Sequence, residues 1–464
     1  MARPEEPDRF APAGASRRSR LLLLAGPLVV SFWLRSTFAW ADTIFASLLR
    51  DADGNPIGDA SIAAIGLTLP FEFLQVALWV GTSNGLTARL AEAIGAGRGE
   101  QVAQLKRATL RILAALIALF VVLAAVVWVV TPRVPLDPLV AQQFRIYAVV
   151  LLAGGALTSF WSILPDSLVK AHHDTRSTMW AGLLSSVTNV ALNAFFVFVI
   201  GLGILGIALS TVLGRLAGLA YASARAAAHE RRRRAQPDQQ RPGRFDRPVR
   251  SILAIAVPSG ATYVLMALES QFVNALLALR PDSTALLASW AVFDRGLRFL
   301  AMPLIAASVA MLPLAARLRG EGRLDQVERE LGVGLRAGLA YAFLFAAPVT
   351  WLLAGPVARA LTDAEATRLN TMEALRWMPL AVAGLGPFLL ARATWDGLAR
   401  PRVGLVAAML RTALVLPLIA LGLHFHDRFG MAPVEGACLG FVLAVVLASA
   451  GMWRFTRTTL PRLE

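Results

Sequence analysis

Cysteine is nearly absent from this 464-residue chain; the only one, Cys438, lies in an apolar stretch. One thiol excludes an intrachain disulfide and a cysteine-based metal site. Charge is scarce too. Asp, Glu, Lys and Arg together make up 16% of the residues, where soluble domains carry roughly a quarter. We recognise no Walker loop, no dinucleotide fingerprint and no nucleophile elbow, and no His-Glu-x-x-His spacing that would hold zinc. His172-His173-Asp174 and His424-Phe425-His426-Asp427 read as surface loops, not metal ligands. No enzymatic site is therefore expected.

What is abundant is apolar sequence, 56% of the chain, arranged in about a dozen long runs. A helix needs roughly 20 mostly apolar residues to cross the hydrocarbon core. Twelve spans are read at 21–49, 60–94, 108–131, 139–166, 177–201, 204–226, 251–279, 284–315, 331–356, 370–396, 403–424 and 432–455. The first run lacks a small-residue cleavage site and reads as a retained span. Prolines recur within these runs, among them Pro27, Pro70, Pro165, Pro258, Pro303, Pro313, Pro348, Pro379, Pro387 and Pro417. A bundle tolerates them because neighbouring helices satisfy the freed backbone groups, so kinks are expected.

A net charge of +15 alone is compatible with nucleic-acid binding, but its placement argues against it. Alternate connecting segments hold 28 Lys and Arg residues on one side against six on the other. Under the positive-inside rule this puts both termini in the cytoplasm and makes the number of spans even. The richest segment, which contains Arg231 to Arg234, reads as a solvated linker against anionic headgroups. It divides the chain into an N-terminal tail (1–20), an N-lobe (21–228), a basic linker (229–250), a C-lobe (251–456) and a short tail (457–464).

The halves repeat. Gly97-Arg98-Gly99-Glu100-Gln101-Val102 recurs as Gly322-Arg323-Leu324-Asp325-Gln326-Val327, a shift of 225. Six spans per half give both halves the same orientation. Repeats of this kind are related by an axis along the membrane normal, with a cavity between them. The expected fold is all-α and integral to the membrane: twelve helices in two pseudo-symmetric six-helix lobes.

The order of elements resembles the MATE (multidrug and toxic compound extrusion) family, bacterial DinF-like type, over about residues 20–456. Pro27 followed by Asp42-Thr43 resembles the family's first span. Ile65-Gly66-Leu67 to Pro70, then Gly95-Ala96-Gly97-Arg98, resembles its second span and the loop after it. Thr188-Asn189-Val190-Ala191-Leu192-Asn193, with the glycine-rich hairpin 201–211, is the most specific block. The resemblance implies a secondary antiporter that exports amphipathic or cationic organic compounds against a proton or sodium gradient, without a further cofactor. It maps an N-lobe cation or proton site onto Asp42, Asn189, Asn193 and Thr211. Asn193 stands where the family pattern has Asp, which removes one negative charge. A related expectation is a flippase for lipid-linked or anionic cargo.

Physical chemistry puts most weight on Asp42. A carboxylate near mid-span costs roughly 2.5–3.5 kcal/mol to insert on translocon scales, and burial disfavours its charged form. A salt bridge to Arg35 or Arg89 is the structural alternative. Asn189 and Asn193 are four apart, on one helical face; either ion binding or interhelical hydrogen bonding accounts for them. Thr211 could instead bond its own helix. Cavity candidates are Trp33, Arg35, Glu72, Glu269, Asp294 and Arg298, with Asp294 and Arg298 also reading as an internal ion pair. Trp33, Trp40, Trp79, Trp161, Trp290 and Phe293 suit either an aromatic cavity or the membrane interface. Asp396, close to Arg400, is expected to be solvated. The expected setting is a monomer in the cell inner membrane, with small organic substrates and bilayer lipid as partners and no nucleic acid.

Overall fold

The computed structural model describes residues 19–38, 41–51, 53–236, 241–281, 283–361 and 365–463. The first crossing is α1 (Arg20–Phe38) with the short α2 (Ala41–Ser47). Next come α3 (Gly58–Gly95) and α4 (Gly99–Val130). Helix α5 (Pro138–Val150) runs through a π turn at Leu151–Gly155 into α6 (Ala156–Ala171). Helix α7 (Thr175–Ala194) ends in a second π turn, Phe195–Ile200, and α8 (Gly203–Arg234) completes the first lobe.

The second lobe opens with α9 (Pro248–Ala278). Then α10 (Ser283–Leu300) and α11 (Met302–Glu321) make one crossing. Helix α12 (Leu324–Tyr341) passes through the π turn Ala342–Ala346 into α13 (Ala347–Leu361). Helices α14 (Glu365–Arg376) and α15 (Met378–Gly397) form the tenth crossing, and α16 (Pro401–Phe425) and α17 (Pro433–Thr459) the last two. Among the described residues, eleven segments are long and apolar enough to span a membrane, and the pair bent by 44° at Trp377 makes a twelfth.

The kinks are more selective than the proline count suggests. The span read over 284–315 is interrupted at Ala301, and the tenth turns at Trp377. Each break comes just before a proline in the second position of the next helix, Pro303 or Pro379. There the missing N–H is one the first turn leaves unpaired anyway. Pro27, Pro70, Pro165, Pro258, Pro313, Pro387 and Pro417 lie inside continuous helices.

Two stretches do carry the letters of motifs said above not to be recognised. Gly81-Thr82-Ser83-Asn84-Gly85 has the letters of a nucleophile elbow, and 201–206 those of a dinucleotide fingerprint. Both patterns act chemically at a strand-to-helix turn. Here the first lies within α3 and the second joins two helical segments.

The backbone repeats at its turns. Left-handed residues recur at Gly97 and Gly322 (φ 70° and 74°), His173 and Ala399 (φ 59° and 57°), and Gly203 and Gly430 (φ 55° and 62°). The spacings of 225, 226 and 227 carry the sequence repeat into three dimensions.

The lobes meet along the half of the bundle nearest the Arg-rich connections. A Cβ on Gly81 would lie 2.5 Å from the carbonyl oxygen of Ala256, and one on Gly85 2.6 Å from that of Ile252, so α3 and α9 touch backbone to backbone. Gly95 and Gly320 make the same kind of approach between α3 and α11. Asn84 Nδ2 donates to Ser259 Oγ (2.8 Å), which donates to Asp396 Oδ2 (3.1 Å). Asp396, expected in solvent, is 1% exposed, because α15 ends beneath these contacts. Every named contact from α3 to α9 and α11 falls in this half, where the two lobes close on each other.

Candidate functional site

Four of the sequence candidates converge inside the N-lobe. Half-buried Asp42, on α2, faces α7 and α8. Its Oδ1 accepts from Asn193 Nδ2 at 2.7 Å and from Asn189 Nδ2 at 3.3 Å. Its Oδ2 accepts from Thr211 Oγ1 at 2.9 Å. Neutral donors from two helices thus hold one carboxylate. Neither arginine proposed as an ion-pair partner takes it: Arg89 bonds Glu92 at 3.0 Å, and Arg35 lies along Gly182 of α7.

Ser210 belongs to the cluster although the sequence did not single it out. Fully buried, it donates to Asn193 Oδ1 and accepts from Asn189 Nδ2 at 3.5 Å. Its hydroxyl also lies 2.7 Å from the Ile207 carbonyl. One hydroxyl proton serves only one acceptor at a time, so Ser210 holds either Asn193 or its own helix. A serine beside Thr211 carries no distinguishing signal, since back-bonding to the helix is its ordinary use.

Arg215 is the second residue missed, one turn beyond Thr211. Its Nη1 donates to Gln75 Oε1 (3.3 Å) and Ser159 Oγ (3.1 Å). A charge inside an apolar run was the available signal. Glu72 sits on α3 within electrostatic reach of both Arg215 and Asp42, in a small pocket with Thr68, Phe71 and Gln75. Arg35 is exposed, within electrostatic reach of Asp166 and Arg215. Asp166 itself pairs with Lys170 at 2.6 Å.

The C-lobe candidates form separate pairs. Glu269, 6% exposed, accepts from Arg411 Nη2 at 2.9 and 3.0 Å and from Thr412 Oγ1 at 2.6 Å. Arg411 also lies over the Phe388 ring at 5.0 Å. Asp294 pairs with Arg298 along α10 at 2.7 Å, and Arg298 reaches Ser270 of α9. Trp33 bonds the Phe299 carbonyl at 3.2 Å and stacks on that ring, fastening α1 to α10. Trp290 and Phe293 are buried with Phe441 in the C-lobe core, and Trp79 bonds Ser162. The aromatic residues therefore do not line one common cavity; Trp40 lies outside the described residues.

Of the histidines expected at the surface, His424 is exposed, but the other three are packed. His172 stacks on His229 and meets Glu230 at 3.5 Å. His173 reaches across the lobes to the Pro313 carbonyl at 3.5 Å. Burial, reinforced by Arg317, lowers His173 to about 3. Asp174 caps α7 through Ser177. Its burial alone would raise the carboxyl, but hydrogen bonds from His229, Ser177 and Arg225 outweigh that and hold it well below the usual range. His426 is 8% exposed and bonds the Met431 carbonyl.

Segments 27–195 and 258–421 match the family model MatE. Among solved structures, the fold is similar to a mutant of the Vibrio cholerae MATE transporter VcmN (TM-score 0.81, 23% identity, 96% of this chain and 97% of that one covered). It is also similar to a multidrug resistance MATE family transporter of the MOP superfamily in an outward-facing conformation (0.79, 18%, 96% of each chain). A third is a MOP superfamily transporter from Pyrococcus furiosus, described as having a binding pocket of reversed polarity (0.78, 19%, 96% of each). No curated protein matches the sequence.

Proposed function

The chain belongs to the MatE family of membrane transporters, and from that premise we propose that it is an antiporter exporting amphipathic organic cations in exchange for protons, with Asp42 as the coupling carboxylate. The observation that carries this is the set of three neutral donors on Asp42. A carboxylate held by N–H and O–H groups, with no fixed cation, can be neutralised by a proton without leaving a guanidinium unpaired. The amides turn their N–H groups toward it. A sodium ion would need both to turn their oxygens inward, so the proton is the favoured coupling ion.

Ionised Asp42 pins α2 to α7 and α8. A proton on Asp42 removes the charge that strengthens these bonds and turns one acceptor oxygen into a donor. The α2 attachment weakens, span 1 repositions, and the lobes rock to the alternative opening. The proton shifts this equilibrium only by its differential affinity for the two states. A cationic cargo attracted to Asp42 and Glu72 competes with it. In this reading the protein is a monomer in the cell inner membrane with both termini in the cytoplasm.

The test is uptake of a fluorescent cation into inverted vesicles, under an imposed proton gradient and then a sodium gradient. Wild type accumulates the dye with the proton gradient. Asp42→Asn abolishes accumulation while retaining the wild-type melting temperature; full transport by that variant refutes the assignment. Arg35 and Arg215 in the same lobe favour a second reading, anionic or lipid-linked cargo. Under that reading an anionic dye is carried and Arg35→Ala loses it.

A further inference from the structure

On the Arg-rich face a cavity of about 710 Å³ opens between the lobes, lined by Arg111 of α4, Arg247 and Arg250 at the start of α9, and Arg402 at the start of α16. All four arginines are exposed, and among the described residues no carboxylate pairs with any of them. Their neighbours on this face differ. Lys106 and Arg233 share Glu230, Arg225 takes Asp174, Arg244 takes Glu100, and Arg317 and Arg323 share Glu321. Asp246 on the rim is the one acid among the lining residues.

Two further features point to the same ligand chemistry. Helices α9 and α16 both begin at this cavity with no side-chain cap, so their first-turn N–H groups face outward and add positive character. Below the arginines the helix faces turn apolar. On α9, exposed Arg250 is followed by Leu253 and Val257, 37% and 64% exposed. On α16, Arg402 is followed by Val406 and Leu410, 54% and 60% exposed. A guanidinium cluster crowning lipid-facing apolar stripes matches a phospholipid from headgroup to acyl chain. Basic pockets between spans on the cytoplasmic side take such headgroups, and the guanidinium fork suits phosphate oxygens.

We propose that this cavity binds the headgroup phosphate of an anionic phospholipid, with its acyl chains along α9 and α16. Because α4 belongs to one lobe and α9 and α16 to the other, the bound lipid bridges the two lobes on their closed side. A soluble phosphate would need the arginines but not the apolar stripes below them. The site is independent of the transport reading.

The experiment is native mass spectrometry of detergent-solubilised full-length protein titrated with phosphatidylglycerol or phosphatidylcholine. Wild type retains phosphatidylglycerol at least tenfold more tightly. The triple variant Arg247→Gln, Arg250→Gln, Arg402→Gln loses that preference. The control Arg329→Gln, Arg454→Gln, Arg457→Gln removes the same charge from exposed positions outside the cavity and keeps it. An equal loss in both triples overturns the site, as does no preference in wild type. Displacement of the lipid by millimolar inorganic phosphate overturns the lipid as its occupant. Circular dichroism and melting of each triple establish that it is folded.

Discussion

Substituting Gly81 by alanine tests how the lobes close. The new Cβ would sit 2.5 Å from the Ala256 carbonyl oxygen and 2.9 Å from the Gly260 backbone, where ordinary contact begins at 3.4 Å. These are backbone atoms of another helix and cannot rotate away. Helices α3 and α9 must therefore part by about 1 Å, an overpacking cost of roughly 1–3 kcal/mol. The cost falls on the state closed at the Arg-rich face and is absent once the lobes part there. It shifts the two-state balance by about 5- to 150-fold. The assay is pulsed electron paramagnetic resonance between spin labels at Asp53→Cys and Leu279→Cys, exposed positions at the Arg-poor ends of the two lobes. Buried Cys438 is replaced by alanine. Gly81→Ala shortens the mean separation as the Arg-poor face closes. Gly66, on the same helix, has nothing within 4 Å of its would-be Cβ, so Gly66→Ala leaves the distribution unchanged. A distribution unmoved by Gly81→Ala refutes the reading of α3 and α9 as the closing seam.

Two further outcomes follow from buried charge. Arg411→Leu leaves Glu269 without its cation and lowers stability by about 3–5 kcal/mol, whereas the double variant with Glu269→Leu recovers most of the loss; equal melting temperatures for single and double would sink this. Stability in detergent falls as pH drops below about 6.5, the ordinary histidine value. His173 is held at about 3, so folding favours its neutral form; that contribution is complete above 6.5 and is lost on the way down to 3. Asp174, also held low, adds a loss only below the ordinary aspartate range. His173→Asn tolerates the left-handed φ of 59° and flattens the slope between pH 6.5 and 4; an unchanged slope removes His173 as its source.

The spans, the duplication and the four N-lobe residues were legible because each leaves a local mark: an apolar run, a recurring turn, a polar group where lipid excludes it. What stayed hidden was long-range pairing. Asp396 lies four residues from Arg400 in sequence, yet it pairs with Arg392 one turn back and accepts from Ser259, a residue of another helix. Glu269 was noticed, but Arg411 lies 142 residues away and no spacing links them. Ser210 and Arg215 sat beside Thr211 unnoticed, because only the approach of α7 to the first, and of α3 and α6 to the second, gives them partners. Proline marked every candidate kink. Only the helix assignment separates Pro303 and Pro379, at breaks, from those inside continuous helices.

The matched turns of the two halves describe one plan used twice, yet the halves are chemically unequal. In the second, Glu269 is already cancelled by Arg411. In the first, Asp42 is steadied by amides and a hydroxyl that carry no charge of their own. Under the proposed coupling, a diffusing positive ion meets one lobe whose electrostatics it can rewrite and another that is indifferent to it. Such a machine needs only one ignition point, and its twin half is free to serve as ballast and bearing.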